Sequence, residues 1–194
     1  MAVLPDISTN AGVMSRLIIA ECKNPGYDDY TEDDGKLSFR LMQAVISNRL
    51  NNNPSQFGAA GATTYADIIT APNQFAGFSS SGGTIILSQS VSDRIDAVLK
   101  KANAGSPGPY LAFVQDILNQ VGATVNDPLS GVTTINGTAV QGGVYGWRTL
   151  GTGDPGGLFF PIPPAFGGVV LGNQFYTLLA PTVSDMELEE SAMA

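Results

Sequence analysis

The stretch Met14 to Cys22, MSRLIIAEC, decides how the rest of the chain is read. As a helix it sets Met14, Leu17 and Ile18 on one apolar stripe at spacings i, i+3 and i+4, and the next position of that stripe, i+7, is Glu21. A carboxylate stands where a core aliphatic is expected. Burial at such a place disfavours the charged form and raises the pKa, which is the property a proton-donating glutamic acid needs. The plainer alternative puts Glu21 at the edge of the stripe, near the helix end, where it reaches water or a basic partner. Ser8, Thr9 or Asn10 caps this helix, and Asn24-Pro25-Gly26 stops it after about residue 23.

Working outward, Leu37 to Leu50 has the periodicity of a second helix with the stripe Met42, Val45, Ile46 and Arg49. Asn48 lies beside that stripe. If the two helices pack together, Glu21, Asn48 and Arg49 come near one another; the alternative for Arg49 is a stem that covers the core and a head that reaches solvent. Between the helices runs an acidic loop, Tyr27 to Gly35, with Asp28, Asp29, Glu32, Asp33 and Asp34. It is either solvated or folded over Glu21.

Tyr65 to Thr70 is expected as a short helix, Ala71 to Phe75 as a loop, and the Ser/Gly cluster at 79–83 as a surface turn. Ser88 to Ala104 is an amphipathic helix with Val91, Ile95, Val98 and Leu99 inward, stopped by Gly105. Pro109 to Val121, opened by Ser106-Pro107, is another, with Val114, Ile117, Leu118 and Val121 as its core face. From Ala123 onward helical periodicity vanishes, and Val169-Val170-Leu171 and Phe175-Tyr176-Thr177-Leu178 suggest brief strands between glycine turns. The expected fold class is mainly α: one helical domain over residues 1–183 with a glycine-rich, partly β C-terminal third, followed by an acidic tail over 184–194.

Composition narrows the chemistry. Hydrophobic residues make up 43% of 194, enough for a sizeable core. The net charge of −8 argues against nucleic acid and anionic membrane as partners, and no run is long enough for a membrane span. There is no histidine, which removes His-based triads, Cys–His hydrolases and the usual His-containing zinc sites. No metal or cofactor is expected. The single cysteine, Cys22, allows no intrachain disulfide and lacks a base to activate it, so it is read as a small buried hydrophobe.

Of five glutamates, Glu187, Glu189 and Glu190 sit in the tail and Glu32 in the acidic loop, which leaves Glu21 as the one set in an apolar helical pattern. One semi-buried glutamate in a helical protein without histidine fits glycosidic bond cleavage. That reaction needs an acid for the leaving oxygen and either a second carboxylate or a nucleophile within the substrate. Asp28, Asp29, Glu32, Asp33 and Asp34 are the candidates for the second carboxylate. Trp147, between Gly146 and Arg148 in a polar glycine-rich stretch, is the best candidate to stack on a sugar; Phe75, Phe175 and Tyr176 read more readily as core.

Several pieces, in order, resemble the spore-cortex-lytic (SleB-like) cell wall hydrolases. They are Glu21 near the end of an apolar helix, Ala44-Val45-Ile46-Ser47-Asn48-Arg49, Asn73-Gln74-Phe75, Asp127-Pro128-Leu129-Ser130-Gly131, Trp147, and Gly172-Asn173-Gln174-Phe175-Tyr176. The resemblance implies a lysozyme-like α+β fold acting on the glycan strands of peptidoglycan. Glu21 would be the general acid, and the general base in a transglycosylation, with Asn48, Gln74, Phe75, Trp147 and Tyr176 lining or supporting the cleft. Two departures stand out. Glu21-Cys22-Lys23-Asn24-Pro25 has no counterpart of the family's second glutamate, and Gln174 replaces a histidine.

The N-terminus, MAVLPDISTNAG, has neither the basic region nor the apolar core of a secretory signal. A wall-acting protein of this kind is expected to be made in the cytoplasm and to reach the periplasm or wall by a secretion machine or by lysis. It would be an antibacterial effector with a cognate immunity protein, or a phage lysin. The rival from another class is a non-catalytic structural protein that keeps a degenerate hydrolase fold to bind wall or partner.

Overall fold

The computed structural model describes residues 1–105, 107–153 and 155–181. The expected acidic tail, with Glu187, Glu189 and Glu190, lies outside the described residues, as does Ser106. Five helices precede residue 123: α1 (Asn10–Glu21), α2 (Glu32–Asn51), α3 (Tyr65–Ile69), α4 (Gln89–Ala102) and α5 (Pro109–Gly122). Small antiparallel sheets follow, so the fold is α+β, with the helices in the first two thirds and most of the strands in the last. Among the described residues no helix is long and apolar enough to cross a membrane.

Of the three candidate caps for α1, Thr9 does the work: its hydroxyl accepts from the Gly12 N–H at 3.0 Å. The stripe Met14, Leu17 and Ile18 is fully buried, and so are Val13 and Ile19 on other faces. The helix is buried nearly all round because α3, α4, α5 and α2 pack about it. The helix expected from Leu37 instead begins at Glu32. Thr31 caps it by accepting from the Asp34 N–H (3.1 Å), and Glu32, Asp33 and Asp34 fill its first turn, where carboxylates favour the positive end of the helix dipole. Half of the acidic loop is therefore helix.

The expected surface turn at 79–83 is a hairpin, β1 (Phe78–Ser81) paired with β2 (Thr84–Leu87). Gly82 and Gly83 both have positive φ, +56° and +78°, as a type I′ turn demands. The α4 and α5 stripes fall inward as expected, with Ile95, Val98, Val114 and Ile117 buried and Phe113 added to them. In the last third a short hairpin, β3 (Thr134–Ile135) with β4 (Thr138–Ala139), precedes a sheet of order β5 (Gly146–Thr149), β8 (Asn173–Leu178), β6 (Phe159–Pro161), with β7 (Val169–Val170) also on β8. β5 and β7 pack on α2. This sets the sheet against the helical end that carries Arg49.

Candidate active site

Glu21 is the last residue of α1, and Cys22 leaves the helix in extended conformation. Its half-buried carboxyl is pushed above the usual carboxylate range chiefly by burial. A hydrogen bond from Trp147 and the charge of Arg94 act in the opposite direction. The position at the negative end of the α1 dipole works with burial, and no basic residue in the last turn of α1 offsets it. Arg94, from α4, donates from Nη2 to the Cys22 carbonyl at 3.0 Å and so ties the end of α1 to α4.

The α2 stripe ends as the sequence suggested, with Met42, Val45 and Ile46 fully buried and Arg49 at 7% exposure. The Arg49 head does not reach for solvent. Its Nε donates to the Tyr145 carbonyl (2.6 Å) and its Nη1 to Gln74 Oε1 (2.5 Å), and the guanidinium carbon lies 4.8 Å from the Phe57 ring centre and 5.6 Å from that of Phe75. Burial lowers its pKa to about 10, still charged at neutral pH. No carboxylate pairs with it among the described residues. Its charge is held by a carbonyl, an amide oxygen and two ring faces.

Asn48 is a strut. Its Nδ2 donates to Asp127 Oδ2 (2.5 Å) and to the Val144 carbonyl (2.9 Å), while Asp127 also accepts from the Leu129 and Val144 N–H groups at 2.8 and 3.1 Å. The stretch Asp127 to Gly131 is thereby pinned to α2 and to the segment entering β5. Gly143 is required beside it: φ is +91°, and a Cβ there would stand 2.9 Å from both Asn48 Nδ2 and Asp127 Oδ2.

Glu21, Arg49, Gln74, Phe75, Arg94, Trp147 and Asn173 line one cavity of about 310 Å³. A second cavity of about 350 Å³ shares Arg49, Gln74, Trp147 and Arg148 with the first and continues past Phe57, Phe159 and Tyr176. Together they form a groove within the size range of ligand sites, about 300–1,000 Å³. Strand register explains the aromatic wall. Trp147 on β5 stands opposite Phe175 on β8, with ring centres 6.1 Å apart, and Phe75 packs on the other side of the indole at 5.0 Å. Phe175 is fully buried core, whereas Trp147 and Phe75 are half-exposed to the groove.

The residues singled out in the sequence thus divide. Glu21, Arg49, Gln74, Phe75 and Trp147 meet at one cavity, Tyr176 lines its continuation, and Asn48 supports both from behind. Asp28, Asp29, Glu32, Asp33 and Asp34 line neither cavity. Asp29 is held by Lys23 at 2.5 Å, Glu32 pairs with Lys36, and Asp34 accepts from the Thr31 hydroxyl at 2.7 Å. Their hydrogen bonds belong to the α2 start and to surface lysines, so the loop does not close over Glu21. Gln174, where the resemblance has a histidine, points its amide Nε2 at the carbonyls of Ile162 (2.8 Å), Gly168 (3.1 Å) and Phe175 (2.7 Å). It is a structural bracket. Cys22 is fully buried, 3.5 Å from the Ser38 hydroxyl, and burial raises its thiol pKa to about 11. That thiol is no nucleophile.

Several groove residues escaped the sequence reading, Arg94, Arg148, Asn173, Phe57 and Phe159 among them. Arg94 sits on the α4 apolar stripe three residues after Val91, the same anomaly that marked Glu21, and that signal was there to be used. Asn173 is 7% exposed and its side-chain amide makes no hydrogen bond to another described residue. A two-residue turn at Leu171 and Gly172, both at positive φ (+48° and +76°), delivers it to the groove, and a leucine in that conformation is not foreseeable from sequence. Among the described residues no group of three or more Cys, Asp or Glu side chains converges as a metal site requires.

Compared with protein-family models, curated proteins and solved structures, the chain matches none. What the geometry defines is an α+β chain carrying a groove with one carboxylate among the described residues, an aromatic wall and the side-chain amide of Asn173.

Proposed function

We propose that this protein cleaves glycosidic bonds in the glycan strands of peptidoglycan on a lysozyme-like fold, with Glu21 as general acid and then general base. The observation that carries the reading is the state of Glu21. Among the described residues it is the one carboxylate lining either cavity, and burial at the end of a buried helix raises its pKa, which favours the protonated form. An acid of this kind protonates the glycosidic oxygen as the C1–O bond breaks. The ordered resemblance to SleB-like wall hydrolases supports the same choice of substrate.

Among the described residues no second carboxylate lines the groove, which favours a nucleophile from the substrate itself. In that course the 2-acetamido oxygen stabilises the developing cation at C1. The C6 hydroxyl then bonds to C1 and gives its proton to the Glu21 carboxylate, which closes a 1,6-anhydro ring and restores the acid. Trp147 and Phe75 offer the apolar wall on which a pyranose ring lies, and the Asn173 amide offers a hydrogen bond to an acetamido group or hydroxyl. Digestion of purified sacculi followed by mass spectrometry tests this. The expected products carry anhydro-muramyl ends and vanish in Glu21→Gln. Reducing ends would indicate an added water nucleophile, and no release by the folded wild-type protein would refute cleavage.

The second reading, a non-catalytic wall- or partner-binding protein, draws on Gln174. The position of the family's histidine is spent on three backbone carbonyls. It expects binding to sacculi without turnover and the same behaviour in Glu21→Gln.

A further inference from the structure

The chain has nine lysines and arginines against seventeen acidic residues, yet its groove has the opposite balance. Arg49 and Arg94 line the Glu21 cavity, and among the described residues Glu21 is the one carboxylate in that lining. A separate hollow of about 190 Å³, which shares Arg94 with the Glu21 cavity, is lined by Asn24, Tyr27, Lys101 and Tyr110. It too contains a second cation and no carboxylate. Arg94 forms the wall common to both spaces.

These two cations are oriented but not neutralised. Arg94 is anchored through Nη2 on the Cys22 carbonyl, which leaves the rest of its fork of donors for another partner. Lys101 donates to the Tyr110 hydroxyl at 2.9 Å and lies 4.7 Å from that ring's centre, and Tyr110 in turn donates to Asn24 Oδ1 at 3.1 Å. Among the described residues no carboxylate lies within ion-pair distance of either cation. Asp29, from the nearby acidic loop, is taken up by Lys23. A protein that is acidic overall but presents unpaired, positioned cations beside its candidate acid is arranged for an anionic ligand.

We infer that the hollow between Arg94 and Lys101 is a carboxylate-binding subsite, which holds an acidic substituent of the glycan while the adjoining bond lies at Glu21. The inference rests on the reading of Glu21 as the acid of a peptidoglycan-cleaving enzyme and extends it to substrate choice. The hollow at Arg94 and Lys101 is cationic and the cavity at Phe57 and Phe159 is aromatic, so a strand that reaches both is held in one orientation. Two carboxylate sources exist on such strands, at different residues: the lactyl carboxylate of a muramic acid without peptide, and the free carboxylates of an attached peptide.

Binding to the full-length Glu21→Gln protein, followed by quenching of its single tryptophan, Trp147, tests the subsite without turnover. Three ligands of equal length are compared: strands with peptides, strands stripped of peptides by an amidase, and neutral N-acetylglucosamine oligomers. The expected result is at least about tenfold tighter binding of the peptide-bearing strands than of the neutral oligomers, weakened by salt and reduced severalfold in an added Lys101→Gln. Because the amidase removes the peptide carboxylates and frees the lactyl carboxylate, tighter binding of the peptide-bearing strands than of the stripped ones assigns the peptide, and tighter binding of the stripped strands assigns the lactyl group. Lys101 is exposed, Arg94→Gln serves as the second variant, and a thermal melt of each scores its folding separately from binding. Equal binding of charged and neutral ligands, no binding of any of the three, or a preference untouched by both variants overturns the subsite. Muropeptide release by the wild-type protein is scored separately and decides the parent reading.

Discussion

Replacing Arg49 with lysine keeps the charge and the apolar stem but removes the planar fork, and the structure sets the size of the effect. The guanidinium makes two charge-assisted hydrogen bonds, to the Tyr145 carbonyl and to Gln74 Oε1, and lies over two aromatic rings. A single ammonium cannot serve both acceptors, so one bond worth about 1.5–3 kcal/mol is lost. The ring contacts add about 0.5–1 kcal/mol each. The expected destabilisation is about 3 kcal/mol, a large share of the ~5–15 kcal/mol that holds a typical domain together. For a chain of this size that corresponds to a fall in Tm of about 6–12 °C. Urea titration at constant m-value measures it, with the exposed Lys100→Arg as a control that stays within about 0.5 kcal/mol. Gln74 loses its anchor at the same time, so activity per folded molecule should fall too. If Arg49→Lys unfolds within about 0.5 kcal/mol of wild type, the guanidinium does not organise this groove and the argument for a preformed site fails.

Glu21→Gln should melt together with the wild type in acid and above it at neutral pH. A raised carboxyl pKa means that stability is present below the unfolded value and lost as pH rises through the folded one, a loss the glutamine escapes. A variant less stable than the wild type at pH 8 would contradict the desolvated state of Glu21. Gly143→Ala should cost about 1–3 kcal/mol, because it combines positive φ with a Cβ pressed between Asn48 and Asp127. Thermal melts decide it. Asn48→Ala and Asp127→Ala should be non-additive by about 0.5–3 kcal/mol in a double-mutant cycle, since each removes the other's hydrogen bond. Cys22 should resist thiol reagents in the native protein at pH 8 and react at once in denaturant, given its full burial and a thiol pKa raised to about 11.

Periodicity alone located four of the five helices to within a few residues, because each carries a stripe or a breaker that local physics enforces. The same rule, a charged side chain written into an apolar stripe, singled out Glu21 and Arg49, and applied to α4 it marks Arg94 as well. What lay beyond the sequence was set by long-range pairing. The acidic loop could be read as solvated or as folded over Glu21, whereas Thr31 and the helix dipole draw its second half into α2. Asn173 reaches the groove through a turn with leucine at positive φ, a conformation that only the surrounding sheet makes affordable.

The sequence by itself determined the inventory: one glutamate in an apolar helix, no histidine, and the order of the pieces around it. Tertiary structure alone decided which of those residues meet. Burial, and with it the protonation state of Glu21, is a property of packed surroundings, supplied here by Trp147, Phe75 and Arg94 from distant parts of the chain. The cationic hollow beside it exists only because α4 lies against the end of α1.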